Sequence, residues 1–251
     1  MTLLAFFNSA KLNAHKSRIF TISGGSSGTV SGGRSSFTNL GLTEVSTSKD
    51  LPRSNQTSAF NVVSESLVYD GWRKISRKQI RLPNNKTAAF DIVEQKSPSV
   101  TVFIWDSESS TATLVQEYHP GIEKMMYGAV AGMFEGHKHA TILDCAKDEL
   151  EEEAQLASDT WIPLLEDASA AIPFEKYSDN KLYPFLALDC RPVLNPKPAD
   201  DEEFITVHRN VSHSRLLSMI SAGELNIISS FTVLLGIRKL VELGIPLVKD
   251  N

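Results

Sequence analysis

The sequence predicts an α+β fold in which a mixed β-sheet is sandwiched between helices, an α/β/α arrangement led by an antiparallel hairpin. Strand-like and helix-like segments interleave without a strand–helix–strand rhythm or an internal repeat, which argues against an all-parallel sheet. Val100–Trp105 is a nearly continuous apolar run, the pattern of a strand covered on both faces. Thr141–Ala157 has helical period, with Leu143, Ala146, Leu150, Ala154 and Ala157 forming one apolar row beside an acidic face.

Taken in order, residues 1–61 show no sustained period and carry Ser, Thr, Gly and Asn clusters, so folded structure is expected from near Val62. Ser66–Tyr69 and Trp72–Leu82 have strand character, and the turn Pro83–Lys86 leads to a further strand over Thr87–Gln95, so residues 62–98 form the leading hairpin region. The main domain spans 99–251. It opens with the buried strand at 100–105, turns at Asp106–Ser110 and returns over Ala112–Tyr118. After the helix come Trp161–Leu165 and a strand at Leu182–Leu188, whose Pro184 belongs at an edge or a bulge because proline has no amide proton for the ladder. Phe204–His208 is a short strand, Ser212–Ser221 a helix, and Ser229–Leu243 a last helix closed by Gly244 and Pro246.

Bulk composition narrows the function. A chain of 251 residues with 41% hydrophobic residues can bury one substantial core. A net charge of −5 argues against a protein whose main partner is nucleic acid. No run of about 18 apolar residues exists, so no transmembrane helix is expected. Cys145 and Cys190 are too few for a disulfide framework and read as two small buried thiols. Met1–Thr43 contains no acidic residue, while Lys11, Lys16, Arg18 and Arg34 lie among many Ser and Thr. That segment reads equally as an organelle transit peptide, plastid or mitochondrial, or as a disordered tail on a cytoplasmic protein.

The chemistry is concentrated in Lys147-Asp148-Glu149-Leu150-Glu151-Glu152-Glu153-Ala154-Gln155-Leu156, a dozen residues after Ala131-Gly132-Met133-Phe134-Glu135-Gly136. Glu149, Glu152 and Glu153 stand at i, i+3 and i+4, on one helix face. Packed like charges repel by about 0.2–0.5 kcal/mol per pair, and a divalent cation would turn that repulsion into ligation. A solvated acidic face is the alternative for such a run taken alone.

Gly132–Leu156 resembles the Nudix box: a Gly, a Glu, then Arg-Glu-aliphatic-x-Glu-Glu-x-Gly-aliphatic. Ordered flanking blocks extend the likeness over residues 68–243 to the ADP-ribose pyrophosphatase branch: Gly71-Trp72 in the leading hairpin, Gln116-Glu117-Tyr118-His119-Pro120, Ser178-Asp179, and Glu202-Glu203-Phe204-Ile205. The resemblance implies the Nudix fold and Mg²⁺- or Mn²⁺-dependent hydrolysis of a small-molecule nucleotide sugar such as ADP-ribose or an ADP-sugar. It further implies a homodimer, while the net charge and the lack of a long apolar run leave no nucleic-acid or membrane partner expected. Residue by residue, it makes Glu149, Glu153 and the Ala131 carbonyl metal ligands, and Glu152 a ligand or orienting carboxylate. Glu202 or Glu203 becomes the base or water-positioning acid, and Trp72, Phe90, His119 and Gly132 fall on the substrate side.

The box also departs from the family. Lys138 stands where its first Glu belongs, Asp148 replaces its Arg and Gln155 its closing Gly, while His119 replaces a phosphate-contacting Arg. Lys147 is adjacent to Asp148 but about 100° round the helix. Core packing competes with stacking for Phe90, and a solvated strand face competes with phosphate contact for Arg77, Lys78 and Arg81. His137, His139, His208 and His213 lack ligand spacing and read as ordinary histidines. A Nudix-fold protein that binds a nucleotide sugar without turnover is the alternative function.

Overall fold

A computed structural model describes residues 59–95, 97–197 and 204–248. The expected disordered or targeting segment lies outside the described residues apart from 59–61, and so do Glu202 and Glu203.

Two sheets hold most of the strands. The first is antiparallel and three-stranded, with β1 (Asn61–Asp70), β2 (Lys74–Arg81) and β3 (Thr87–Glu94) in that order. The sequence pattern gives strand character to Ser66–Tyr69 ahead of the hairpin, and β1 extends that strand back to Asn61. Its first half, Asn-Val-Val-Ser-Glu, breaks the alternation that marks a half-buried strand, because β1 is exposed along its whole length. The larger sheet starts with β4 (Ser99–Asp106), β5 (Thr111–His119), β6 (Lys124–Gly128) and β7 (Val130–Met133). Neither β6 nor β7 is visible in the sequence pattern, since four or five residues are too few to establish a period.

Helix α1 (Ile142–Ala154) follows, then the short strands β8 (Leu156–Ala157), β9 (Thr160–Pro163) and β10 (Ile172–Pro173). The chain continues through β11 (Lys181–Leu188), β12 (Arg191–Pro192) and β13 (Thr206–Ser212) into α2 (His213–Ser221) and α3 (Ile227–Glu242). The large sheet runs β10-β11-β4-β5-β13, with β6 and β13 on β5, β7 on β4 and β9 on β11. It is mixed, because β11 and β4 are parallel while the other pairs are antiparallel. β8 and β12 pair separately. None of the described helices is long and apolar enough to cross a membrane.

The continuous apolar run of β4 is explained by its two faces. Val100, Val102 and Ile104 pack with Cys145, Ala146, Leu150 and Ala154 of α1. Phe103 and Trp105 point the other way, into a core with Leu216 and Met219 of α2 and Val233 and Leu240 of α3. Burying each large side chain stabilises by about 1.5–3 kcal/mol, so this strand and the helices that cover it form the main energetic unit. α3 comes close enough to β4 that any Cβ on Gly236 would overlap the Phe103 ring.

Pro184 sits inside the sheet, opposite Thr101 of β4, rather than on an edge strand. Its carbonyl accepts from the Leu164 amide at 3.0 Å, so the missing N–H also faces away from β4. On that side the partner changes from β10, which ends its pairing at Leu182, to β9, which begins at Phe185. The proline therefore occupies a break in the outer ladder, which meets the same requirement an edge would.

α1 begins in a reciprocal cap: the Asp144 amide donates to Thr141 Oγ1 at 3.1 Å, and the Thr141 amide donates to Asp144 Oδ2 at 3.0 Å. It ends three residues before the predicted Ala157 because Gln155 turns left-handed, with φ 58° and ψ 36°, which lets Leu156 and Ala157 pair with β12. Gln155 thus adopts the conformation that the box glycine would take without strain. No basic residue lies in the last turn of α1, and the Arg209 guanidinium, at a register shift in β13, donates to the Ala154 carbonyl at 3.2 Å instead. A left-handed conformation costs a residue with a side chain about 1–2 kcal/mol. Gln155→Gly is therefore expected to raise stability by about 0.5–1 kcal/mol, after the larger chain entropy of glycine is counted, as read from the midpoint of urea unfolding.

Candidate functional site

α1 meets the sheet at β7, and the contact is built from two of its carboxylates. Glu153 is 8% exposed, and its Oε2 accepts from the Ala131 amide at 3.2 Å. One turn earlier, the Glu149 carboxylate occupies the space a side chain at Gly132 would fill, so any Cβ there would overlap it. Glycine is required here for close approach of a charged group to the backbone. Val130–Met133 in turn pairs with Ser99–Val102 of β4, so the buried strand fixes where Glu149 and Glu153 lie. Glu152 is half-buried on the flank of the same face. At Ala131 the amide is the group that engages the helix.

Glu149 and Glu153 offer hard oxygen donors of the kind Mg²⁺ and Mn²⁺ take, and the Gly132 cradle leaves room for one of them against the strand. Among the described residues no three His, Cys, Asp or Glu side chains gather into a complete metal-binding group.

Asp148 is held from two other directions. Lys197 Nζ lies 2.6 Å from Asp148 Oδ1, and His139 Nε2 lies 3.6 Å from Oδ2. The Asp148 carboxylate beside it, with Glu151 and Glu152 adding to the effect, holds the Lys197 ammonium above the usual lysine range. Where the box Arg would have stood, the helix carries an acid and the cation arrives from a segment some 50 positions further on. Lys138 pairs with Glu135 at 3.2 Å, and His137 also reaches Glu135, at 3.3 Å.

An open cavity of about 300 Å³ lies alongside, lined by Ala131 and Gly132 together with Arg73, Gln95, Ser99 and Asn180. Arg73 Nη1 donates to Gln95 Oε1 at 2.8 Å, and Gln95 Nε2 and Asn180 Nδ2 each donate to Ser99 Oγ at 3.2 Å. Asn180 is 4% exposed, and its Oδ1 has no hydrogen-bond partner among the described residues. None of these four polar residues stands out in the sequence, because they come from β4 and three connections that only the fold brings together. The two sheets are tied beside this cavity: the Val93 amide donates to the Tyr177 carbonyl at 2.8 Å and the Gln95 amide to Asp179 Oδ1 at 2.7 Å.

The residues expected on the substrate side are dispersed. Gly132 lines the cavity. Trp72, 86% exposed at the β1–β2 turn, lines a smaller neighbouring cavity that shares Arg73, Gln95 and Met133, and the Arg73 guanidinium lies 4.4 Å from its ring centroid. Phe90 is half-buried and stacks on Tyr177 with centroids 6.4 Å apart, so its ring is engaged within the protein. His119 lies at the far end of β5, opposite Lys124. Its Nε2 stands 3.2 Å from Glu117 Oε1 without hydrogen-bond alignment.

Arg77 makes two hydrogen bonds to Asp91, at 2.7 and 2.9 Å, and Lys78 lies 3.3 Å from Glu65. Hydrogen bonding across the strands holds the Arg77 guanidinium up and the Asp91 carboxyl down. His208 Nε2 lies 3.2 Å from Gln116 Oε1, and His139 Nδ1 accepts from the Glu135 amide at 3.0 Å, both of them structural roles.

No protein-family model matches the chain, and no curated protein does. Among solved structures it is similar to the crystal structure of an ADP compounds hydrolase, with a TM-score of 0.62 and 15% identity over 74% of this chain and 97% of that one. A likeness at that identity is one of fold: the chain has the mixed-sheet α/β/α architecture of the Nudix fold, as its sequence predicts.

Both cysteines are free thiols. Burial, with nearby carboxylates adding to it, pushes Cys145 up to about 12, and burial likewise pushes Cys190 up to about 12. At pH 8 the thiolate fraction of each is then about one in ten thousand, since the thiolate, not the thiol, reacts. The folded protein is expected to show no fast reaction with a disulfide reagent at pH 8, and two equivalents on unfolding in guanidinium, followed by absorbance. A fast equivalent in the folded protein would contradict this.

Proposed function

We propose that this protein is a metal-dependent hydrolase that splits the pyrophosphate bond of a nucleoside diphosphate sugar, ADP-ribose or an ADP-sugar, giving a nucleoside monophosphate and a sugar phosphate. The observation that carries the reading is the seating of the Glu149 and Glu153 carboxylates against Gly132 and Ala131, beside a cavity with polar walls. Glu149 and Glu153 would hold Mg²⁺ or Mn²⁺, together with the Ala131 carbonyl. The chemistry such a cation supplies is screening of the pyrophosphate charge, polarisation of a phosphoryl group and a lowered pKa of bound water.

The chain's own groups do the rest. Glu152, on the same helix face, orients the attacking water or completes the ligand set. Gly132 lets the Glu149 carboxylate lie against the strand backbone at the cavity wall. Trp72, exposed beside Arg73, offers a face on which a base can stack. A hydroxyl or amino group entering the cavity would satisfy Asn180 Oδ1. The exposed apolar residues of β1, among them Val62, Leu67 and Tyr69, support a homodimer formed through the leading sheet. The second reading, a binding protein without turnover, is favoured by Lys138, Asp148, Gln155 and His119, which stand where the resemblance calls for a Glu, an Arg, a Gly and a phosphate-contacting Arg.

Incubating the full chain with ADP-ribose and ADP-glucose, with and without Mg²⁺, and following AMP decides between the two. Metal-dependent AMP release is expected; folded protein that binds ADP-ribose but releases no AMP would establish the second reading. Glu153→Gln keeps an acceptor for the Ala131 amide, so turnover should fall at least about a hundredfold while stability changes by less than about 1 kcal/mol. Sedimentation equilibrium should find a dimer, and Leu67→Asp should yield monomers; a wild-type monomer would remove the dimer from the reading.

A further inference from the structure

The acidic face of α1 acquires its cation from a strap outside the helix. Along Ile142–Ala154 six acidic residues face Lys147 alone. The segment 191–197 runs back along the helix from its C-terminal end. Arg191 and Pro192 pair with Ala157 and Leu156, and the Val193 amide donates to the Gln155 carbonyl at 3.1 Å. The Lys197 amide then donates to Glu151 Oε1 at 3.1 Å, and Lys197 Nζ reaches Asp148 Oδ1 at 2.6 Å. Positions 148, 151 and 155 are spaced i, i+3 and i+7, one stripe of the helix, and Pro192 and Pro196 restrict the strap's backbone.

Asp148 is consequently committed to other partners. The Glu135 amide donates to His139 Nδ1, which leaves the ring proton on Nε2, the nitrogen facing Asp148 Oδ2. One oxygen of Asp148 thus meets an ammonium and the other an imidazole N–H. Glu149 and Glu153 face β7 instead, and Glu152 lies between the two stripes, three residues from Glu149 and four from Asp148.

We propose that Lys197 is a positioning residue for the carboxylate site. By engaging Asp148 and Glu151 it withdraws Asp148 from cation binding and fixes the rotation of the helix face that bears Glu149, Glu152 and Glu153. It acts through these acids and touches neither substrate nor cation. The inference rests on the reading of α1 as a divalent-cation helix.

The test uses the full chain as wild type, Lys197→Ala, Lys197→Arg and the charge-exchanged pair Asp148→Lys with Lys197→Asp. Mn²⁺ affinity is read without substrate from the electron paramagnetic resonance of free Mn²⁺, and kinetics are read with ADP-ribose. Removing one ammonium and freeing one carboxylate should tighten Mn²⁺ binding about threefold in Lys197→Ala. Loss of alignment should lower kcat about tenfold with KM little changed. Tighter metal with slower turnover is a signature that general loosening of the fold, which weakens both, does not produce. Lys197→Arg and the charge exchange should bring both quantities back to within about threefold of wild type. Unchanged Mn²⁺ affinity in Lys197→Ala, or an exchanged pair no better than the single variant, would overturn the proposal. A wild type that binds Mn²⁺ but hydrolyses nothing removes the proposed reaction while the Mn²⁺ arm still decides Lys197; a wild type that binds no Mn²⁺ removes both.

Discussion

The burial of β4 on both faces is the constraint from which the rest of the structure follows. A strand covered on one side by α1 and on the other by α2 and α3 is apolar from Val100 to Trp105 at every position but the buried Thr101, and each side chain then selects its layer by alternation. The same strand carries β7 on one edge and β11 on the other. The helix bearing the acids and the strand bearing Gly132 are therefore located by one hydrophobic element, and the polar groups gain their precision from apolar packing beneath them.

Charge on α1 is managed by position. Two glutamates turn inward against β7, where a backbone amide and a missing side chain accommodate them. The outer stripe is met by groups from outside the helix: the Lys197 ammonium and the His139 ring at Asp148, and Arg209 at the carbonyl end. A surface ion pair is worth only about 0.2–1 kcal/mol, so such contacts add little to stability. Their consequence lies in which acids the helix turns toward β7 and the cavity.

Several apparent faults in the acidic segment change meaning once the chain is folded. Gln155 takes the left-handed turn expected of glycine, at an energetic cost but with the geometry intact. Asp148, an acid where a base was expected, forms its ion pair with Lys197, a residue in a proline-containing connection with no local signal of importance. The expected helix and the buried strand were legible because their periods run over many residues. β6 and β7 were not, being too short to show one, and of the exposed β1 only Ser66–Tyr69 was legible. The cavity residues Arg73, Gln95, Ser99 and Asn180 could not be read at all, since each is unremarkable where it stands in the chain.

By itself, the sequence determined the layer order, the identity of the central strand and the helix on which the acids stand, because hydrophobic period and local charge are properties of neighbouring residues. The tertiary structure alone decided which acids turn inward, which cation answers Asp148, how Pro184 is accommodated, and which polar groups wall the cavity. Those outcomes depend on contacts between residues tens of positions apart, and such distances are set by packing rather than by any pattern the chain carries locally.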